Sequence, residues 1–217
     1  ADVGGTATLS GDVDVTTLTV GNTVLNLTFT GAGSTVTNAV AFANDGTLNI
    51  GAATDDQRQI FSGGLTTTSV GGTVTFDGQL FSDNGNITLG AITLSSARFV
   101  GIGTNSTSGG AGGDLTISGN ITGGGQELGL TTEAHVPLNS SGSNGTTKSI
   151  TVSGNITNVG DLDILSTGGT ATLSGNVSVG TLTIPNTVVN FAMTGSSNTI
   201  TNAATFANTG TLNLGNA

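Results

Sequence analysis

Residues 4–53 and 168–217 are two copies of one sequence. At an offset of 164 they align without a gap, and 32 of 50 positions are identical. The changes are mild: Val20 becomes Ile184, Val36 becomes Ile200 and Ile50 becomes Leu214. Self-similarity at a fixed period marks architectures in which each unit buries its apolar face against the next. The second copy stops at Ala217, the counterpart of Ala53, and neither end carries a polar cap. The expectation is one continuous segment over 1–217, cut from a repetitive protein that continues in both directions.

A shorter period lies inside the long one. The pattern apolar–Ser–Gly–Asn/Asp–apolar occurs as Leu9-Ser10-Gly11-Asp12-Val13, Ile117-Ser118-Gly119-Asn120-Ile121, Val152-Ser153-Gly154-Asn155-Ile156 and Leu173-Ser174-Gly175-Asn176-Val177. The spacings are 108, 35 and 21. They point to a coil of about 20 residues with insertions, hence about eight coils per long repeat.

Between these turns run short segments that alternate with period two. Examples are Thr73-Val74-Thr75-Phe76, Ile87-Thr88-Leu89, Ile92-Thr93-Leu94, Leu115-Thr116-Ile117 and Ile150-Thr151-Val152. Thr takes one side and an apolar residue the other, as in a strand buried on one face. Composition agrees. Thr and Gly dominate, while the strong helix formers Lys, Arg, Glu and Gln are scarce. Of two all-β arrangements, a β-solenoid fits better than an antiparallel sandwich, because like motifs recur at coil-like spacing. Matched Asn positions (Asn26 with Asn190, Asn38 with Asn202, Asn49 with Asn213) suggest hydrogen-bond ladders along the axis. The eight Phe are expected in the interior. Residues 126–148, with Glu127, Glu133, His135, Pro137 and Lys148, break the alternation and read as a loop or irregular coil.

The residues that carry chemistry are few. Net charge is -10, with Arg58, Arg98 and Lys148 the only cations. That excludes the basic face needed by a nucleic-acid binder. No run of about 18 apolar residues could span a membrane. There is no Cys, and His135 stands alone without a Gly-x-Ser-x-Gly elbow, so a nucleophile–His pair is not expected. The carboxylate pairs Asp12/Asp14, Asp55/Asp56 and Asp161/Asp163 are the candidates for polysaccharide cleavage. However, Asp12 and Asp14 become Asn176 and Ser178 in the second copy, and no Tyr or Trp is present to stack on sugars. Gly109-Gly110-Ala111-Gly112-Gly113-Asp114 resembles the start of a calcium-binding nonapeptide but occurs once. The sequons at Asn26, Asn86, Asn105, Asn120, Asn139, Asn144, Asn155 and Asn176 follow from Asn–apolar–Thr alternation. No catalytic, metal or cofactor residue is therefore assigned.

The runs Gly85-Asn86-Ile87-Thr88-Leu89-Gly90-Ala91-Ile92-Thr93-Leu94, Gly113-Asp114-Leu115-Thr116-Ile117-Ser118-Gly119-Asn120-Ile121 and Gly46-Thr47-Leu48-Asn49-Ile50-Gly51 resemble the passenger regions of filamentous-haemagglutinin and autotransporter proteins. The resemblance implies a right-handed parallel β-helix (β-solenoid), export to a bacterial cell surface, and a non-catalytic structural or adhesive rod. Its partners would be adjacent repeats of the same or like chains, and host or neighbouring-cell surfaces or glycans. Alternatives are a self-assembling filament, sheath or surface-layer subunit, a polysaccharide-active β-helix enzyme, and an ice-binding solenoid. The last requires a regular Thr-x-Thr array at one place in every coil, and Thr is irregularly spaced along the chain.

Overall fold

The structure, a computed structural model, describes residues 3–31, 33–51, 58–83, 85–95, 99–104, 112–133 and 147–215. These residues contain no helix. Their strands pair in parallel and stack as a β-solenoid of about eight turns, roughly 22 residues each. Each turn visits three faces, called A, B and C in chain order. On face A, Val3–Leu9 pairs with Val24–Phe29, which pairs with Leu48–Ile50, then Val74–Phe76, Ile92–Leu94 and Ile121–Thr122. Face B begins with Asp14–Val15, Thr35–Val36, Arg58–Phe61 and Gln79–Phe81, followed by Phe99–Gly103 and Glu127–Thr131. Face C runs through Val40–Ala41, Leu65–Thr66, Ile87–Leu89, Leu115–Ile117 and Ile150–Val152. The long strand Ile156–Leu173 bends round all three faces. It pairs with face A near Ile156, face B near Leu162 and face C near Ala171.

Apolar residues at alternate positions explain the common interior. In Val74–Phe76, Ile87–Leu89, Ile92–Leu94, Leu115–Ile117 and Ile150–Val152 the outer two residues are buried and the central Thr is half-buried. Buried apolar side chains from all three faces form one cluster from Val20 to Met193. Near its amino-terminal end the rings of Phe29, Phe42 and Phe61 meet edge to face, with centroids 5.7 to 6.4 Å apart, a favoured aromatic geometry. The expectation that every Phe fills this interior needs correction. Phe81 is fully buried yet lies outside the central cluster. Its ring occupies space beside Gly103, where a Cβ would come within 2.6 Å of it. Phe99 is half-buried, and its ring lies over Gly129 in the same way, at 2.8 Å from where a Cβ would stand. Face B therefore carries a second, outer packing layer.

Sequence spacing predicts coils of about 20 residues. The commonest step is indeed 21, as from Leu27 to Leu48 and from Ile156 to Val177. Steps nevertheless range from 18 (Val74 to Ile92) to 35 (Ile121 to Ile156). The long repeat consequently holds fewer than eight coils. From Leu9 the face-A ladder climbs through Phe29, Ile50, Phe76 and Leu94, then by Thr93 to Thr122 and Thr157. That is six turns. The copy of Leu9 is Leu173, two faces further on, paired with Val152 on face C. One repeat thus spans six turns and two faces. The spacing of 108 between the first two Ser–Gly–Asn/Asp motifs is likewise not a whole number of turns. The first motif stands at the corner from A to B, and the other three stand at the corner from C to A.

The irregular segment expected at 126–148 is also shorter than that. Glu127–Thr131 is a strand of face B, paired on both sides. Residues 134–146, including His135, Asn139 and Asn144, lie outside the described residues.

Corners hold the stack together through glycine and asparagine. A Cβ at Gly154 would overlap the carbonyl oxygen of Gly119 one turn below, and Gly175 stands in the same relation to Gly154. Only glycine lets the backbones of successive turns approach so closely. Beside them, the side-chain oxygen of Asn120 accepts the N–H of Asn155 at 2.9 Å, Asn155 accepts from Asn176 at 2.9 Å, and Asn176 accepts from Ser197 at 2.9 Å. Asparagine ladders do run along the axis, but they join side chain to backbone rather than carboxamide to carboxamide. Of the matched Asn pairs, Asn26 and Asn190 do the same job in each copy, receiving Thr47 N–H at 2.8 Å and Thr211 N–H at 2.9 Å.

Candidate functional site: the outer surfaces of the three faces

With the apolar residues turned inward, the strands turn a second set of residues outward. On face A the outward column runs Thr8, Thr28, Asn49, Thr75, Thr93, Thr122, Thr157 and Ser178, every member in register with the next. On face C it runs Ala41, Thr66, Thr88, Thr116, Thr151, Thr172, Ala192 and Asn213. Neither column contains a charged residue, and none of its members is buried. Parallel strands stand about 4.8 Å apart, so each column is a row of small polar groups at that interval. Thr looks irregular along the chain because coil lengths vary; the stack absorbs the variation in loops and brings the residues into line. The apolar–Thr–apolar triplets are the signal that could have revealed these columns.

Face B differs. The charged residues that are described stand on it or at the corners. Arg58 donates from Nε to Oε1 of Gln79 at 3.2 Å, and its guanidinium carbon lies 5.6 Å from the Phe81 ring centre. Glu127 pairs in register with Phe99, and Asp163 with Gly129, so Glu127, Asp161 and Asp163 occupy adjacent rungs. Further round, Glu133 is fully buried and accepts a hydrogen bond from the Ser166 hydroxyl, while Thr132 donates to Thr167 Oγ1 at 3.0 Å.

The carboxylates singled out in the sequence divide accordingly. Asp161 and Asp163 share face B with Glu127. Asp12 and Asp14 are rungs of the first coil: Asp12 Oδ1 accepts the N–H of Gly33 at 2.9 Å, and Asp14 Oδ1 that of Thr35 at 3.2 Å. The replacement of Asp12 by Asn176 in the second copy fits that role, because Asn176 still supplies an acceptor oxygen, to the N–H of Ser197. Asp55 and Asp56 lie outside the described residues. So do residues 109–111 of the glycine-rich run, but Asp114 is described. It too is a rung, receiving Ser149 N–H at 2.9 Å while its own N–H is held by Asn86 Oδ1 at 2.9 Å. Among the described residues no group of three or more His, Cys, Asp or Glu is arranged to hold a metal ion. The sequons at Asn26, Asn86, Asn120, Asn155 and Asn176 share a structural origin, since each uses its carboxamide oxygen to hold the next turn. Asn105 is outside the described residues.

Two shallow depressions border the threonine columns. One, of about 390 Å³, lies on face C against Val40, Leu65, Thr66, Asn86 and Thr88. The other, of about 380 Å³, lies on face A against Thr28, Asn49, Thr75, Asp77 and Ser95.

Fold and surface together define a parallel β-solenoid in which, among the described residues, two faces carry threonine-bearing strands without charge and the third carries charged strand residues. No family model, curated protein or solved structure matches the chain.

Proposed function

We propose that the chain is a non-catalytic structural and adhesive rod segment of a secreted or cell-surface bacterial protein. The observation that carries this reading is the stacking of like on like. Ladders on all three faces continue over about eight turns around one apolar interior, and at about 4.8 Å per turn they extend about 40 Å along the axis. Such a stack keeps its outer columns at fixed distances, which suits a spacer that presents contact surface. The resemblance to haemagglutinin and autotransporter passengers points the same way, to export and to contact with other cells. Small-angle scattering is the test of shape: a cross-section that stays constant along the particle is expected, and a compact sphere would sink the rod. Attachment is tested by coating a surface with the protein and counting bound cells; no retention above a bare surface would remove the adhesive part.

A second reading, a polysaccharide-active enzyme, draws on Glu127, Asp161 and Asp163 on adjacent rungs of face B. Release of reducing ends from an acidic polysaccharide, lost in Asp161→Asn and Asp163→Asn, would establish it in place of the first.

A further inference from the structure

We infer that the edge of the last turn docks the edge of the first turn of a second copy of this chain, head to tail, by parallel strand pairing. Among the described residues, Val3–Leu9 and Asp14–Val15 each pair on one side only, with Val24–Phe29 and Thr35–Val36. Thr199–Phe206 and Leu212–Leu214 likewise pair on one side only, with Val177–Ile184 and Val188–Met193. A one-sided strand leaves backbone N–H and C=O groups ready to receive another strand. Of the large apolar side chains exposed among the described residues (Val15, Leu25, Leu212 and Leu214), all but Leu25 stand on these two edges.

The duplicated sequence shows what each edge takes. Leu212 and Leu214 are 43% and 50% exposed, whereas their counterparts Leu48 and Ile50 are 0% and 2% exposed. Those counterparts lie under Val74–Phe76, and the N–H of Leu48 donates to the Thr73 carbonyl oxygen at 2.9 Å. Val15 is 38% exposed, whereas its counterpart Val179 is 4% exposed and stands in register with Val159 of the turn before. Ala7 and Leu9 are half-buried, whereas Ala171 and Leu173 are buried against Ile150–Val152. Each edge is therefore of a kind that a turn of this chain already covers elsewhere in the molecule. The described strands pair in parallel, and head-to-tail stacking continues that sense, whereas head-to-head stacking would demand antiparallel pairs. Charge selects the same arrangement. No charged residue occurs from Ile164 to Gly215, so the last turn meets Asp12 and Asp14 of the first without repulsion. Two first turns brought together would set the carboxylates of both copies against each other.

This inference rests on the rod reading and names its partner. The test is sedimentation velocity of the whole chain over a wide range of concentration, at low and at high salt. Mass is expected to rise with concentration through an open series, because a head-to-tail contact along one axis does not close on itself. The rise should be steeper at high salt, which screens the net charge of -10 on each copy. Leu212→Glu on the last turn and Val15→Glu on the first should each weaken association at least tenfold. Mixed in equal amounts, each variant lends the other its intact edge, and the mixture should form a dimer that neither forms alone. Thr116→Glu, which adds the same charge on the outer side of face C in mid-stack, should associate as the parent does. Leu212→Ala and Val15→Ala should weaken association severalfold, and serve if the Glu variants unfold by circular dichroism. A monomer at every concentration, a dimer that grows no further, unchanged association of the edge variants, or a mixture that stays monomeric would overturn the inference. The dilute monomer still reports its cross-section by scattering, so the rod reading and this inference fail separately.

Discussion

The carboxamide oxygen of Asn155 accepts the backbone N–H of Asn176, one turn further along the stack, at 2.9 Å. The bond belongs to a file that runs from Asn120 to Ser197. Asn155→Ala strips the acceptor and leaves the Asn176 N–H to water, at a cost of about 1 kcal/mol. Asn155→Asp keeps the oxygen and should cost less. Urea unfolding curves of the two variants, compared at equal slope, check the difference.

Asp114 separates a ladder from a calcium site. As a rung it needs only an oxygen for the Ser149 N–H, so Asp114→Asn should unfold at the parent midpoint and a chelator should leave both proteins unchanged. A midpoint that falls with Asp114→Asn and also with chelator, but recovers with added calcium, would assign the carboxylate to a metal.

The three-ring cluster of Phe29, Phe42 and Phe61 is the largest aromatic contact among the described residues of the interior. Phe42 is fully buried, and its truncation to Ala should cost about 3–5 kcal/mol, through lost transfer energy and a cavity. Phe42→Leu should cost well under that figure. Thermal melts monitored by circular dichroism would rank them, and equal loss in both would mean that the ring contacts rather than buried volume dominate.

Two glycines make a contrasting pair. Gly51 has φ of 110°, and a Cβ there would overlap the Asp77 carbonyl oxygen, so Gly51→Ala should destabilise the chain by more than about 1 kcal/mol. Gly90 leaves room, with the nearest atom to an added methyl at 3.7 Å. Gly90→Ala should be neutral, or stabilise by a few tenths of a kcal/mol through the unfolded chain. Chemical denaturation of both variants decides the matter.

Alternation makes the solenoid legible: Ile87-Thr88-Leu89 and Leu115-Thr116-Ile117 each show which side is dry. Alternation does not show which face of the stack a strand joins. That depends on the length of chain spent at corners, and the step from Ile121 to Ile156 is far longer than the step from Ile156 to Val177. The threonine columns are hidden for this reason. Hydropathy likewise puts Phe81 and Phe99 in the centre. What it does not express is that Gly103 and Gly129, lacking side chains, open space for those rings on the outer side of face B. Asp12 and Asp14 look like a pair of acids for chemistry, whereas their local geometry makes each an acceptor for one backbone N–H.

Because one repeat advances by six turns and two faces, Thr8 in the face-A column has its duplicate, Thr172, in the face-C column. Reiterating the unit would swing each outer feature about the long axis by a third of a revolution per copy, returning to the starting azimuth after three. A fibre built in that way has no preferred side. However it rolls against a flat substratum, one strip of the same chemistry faces down.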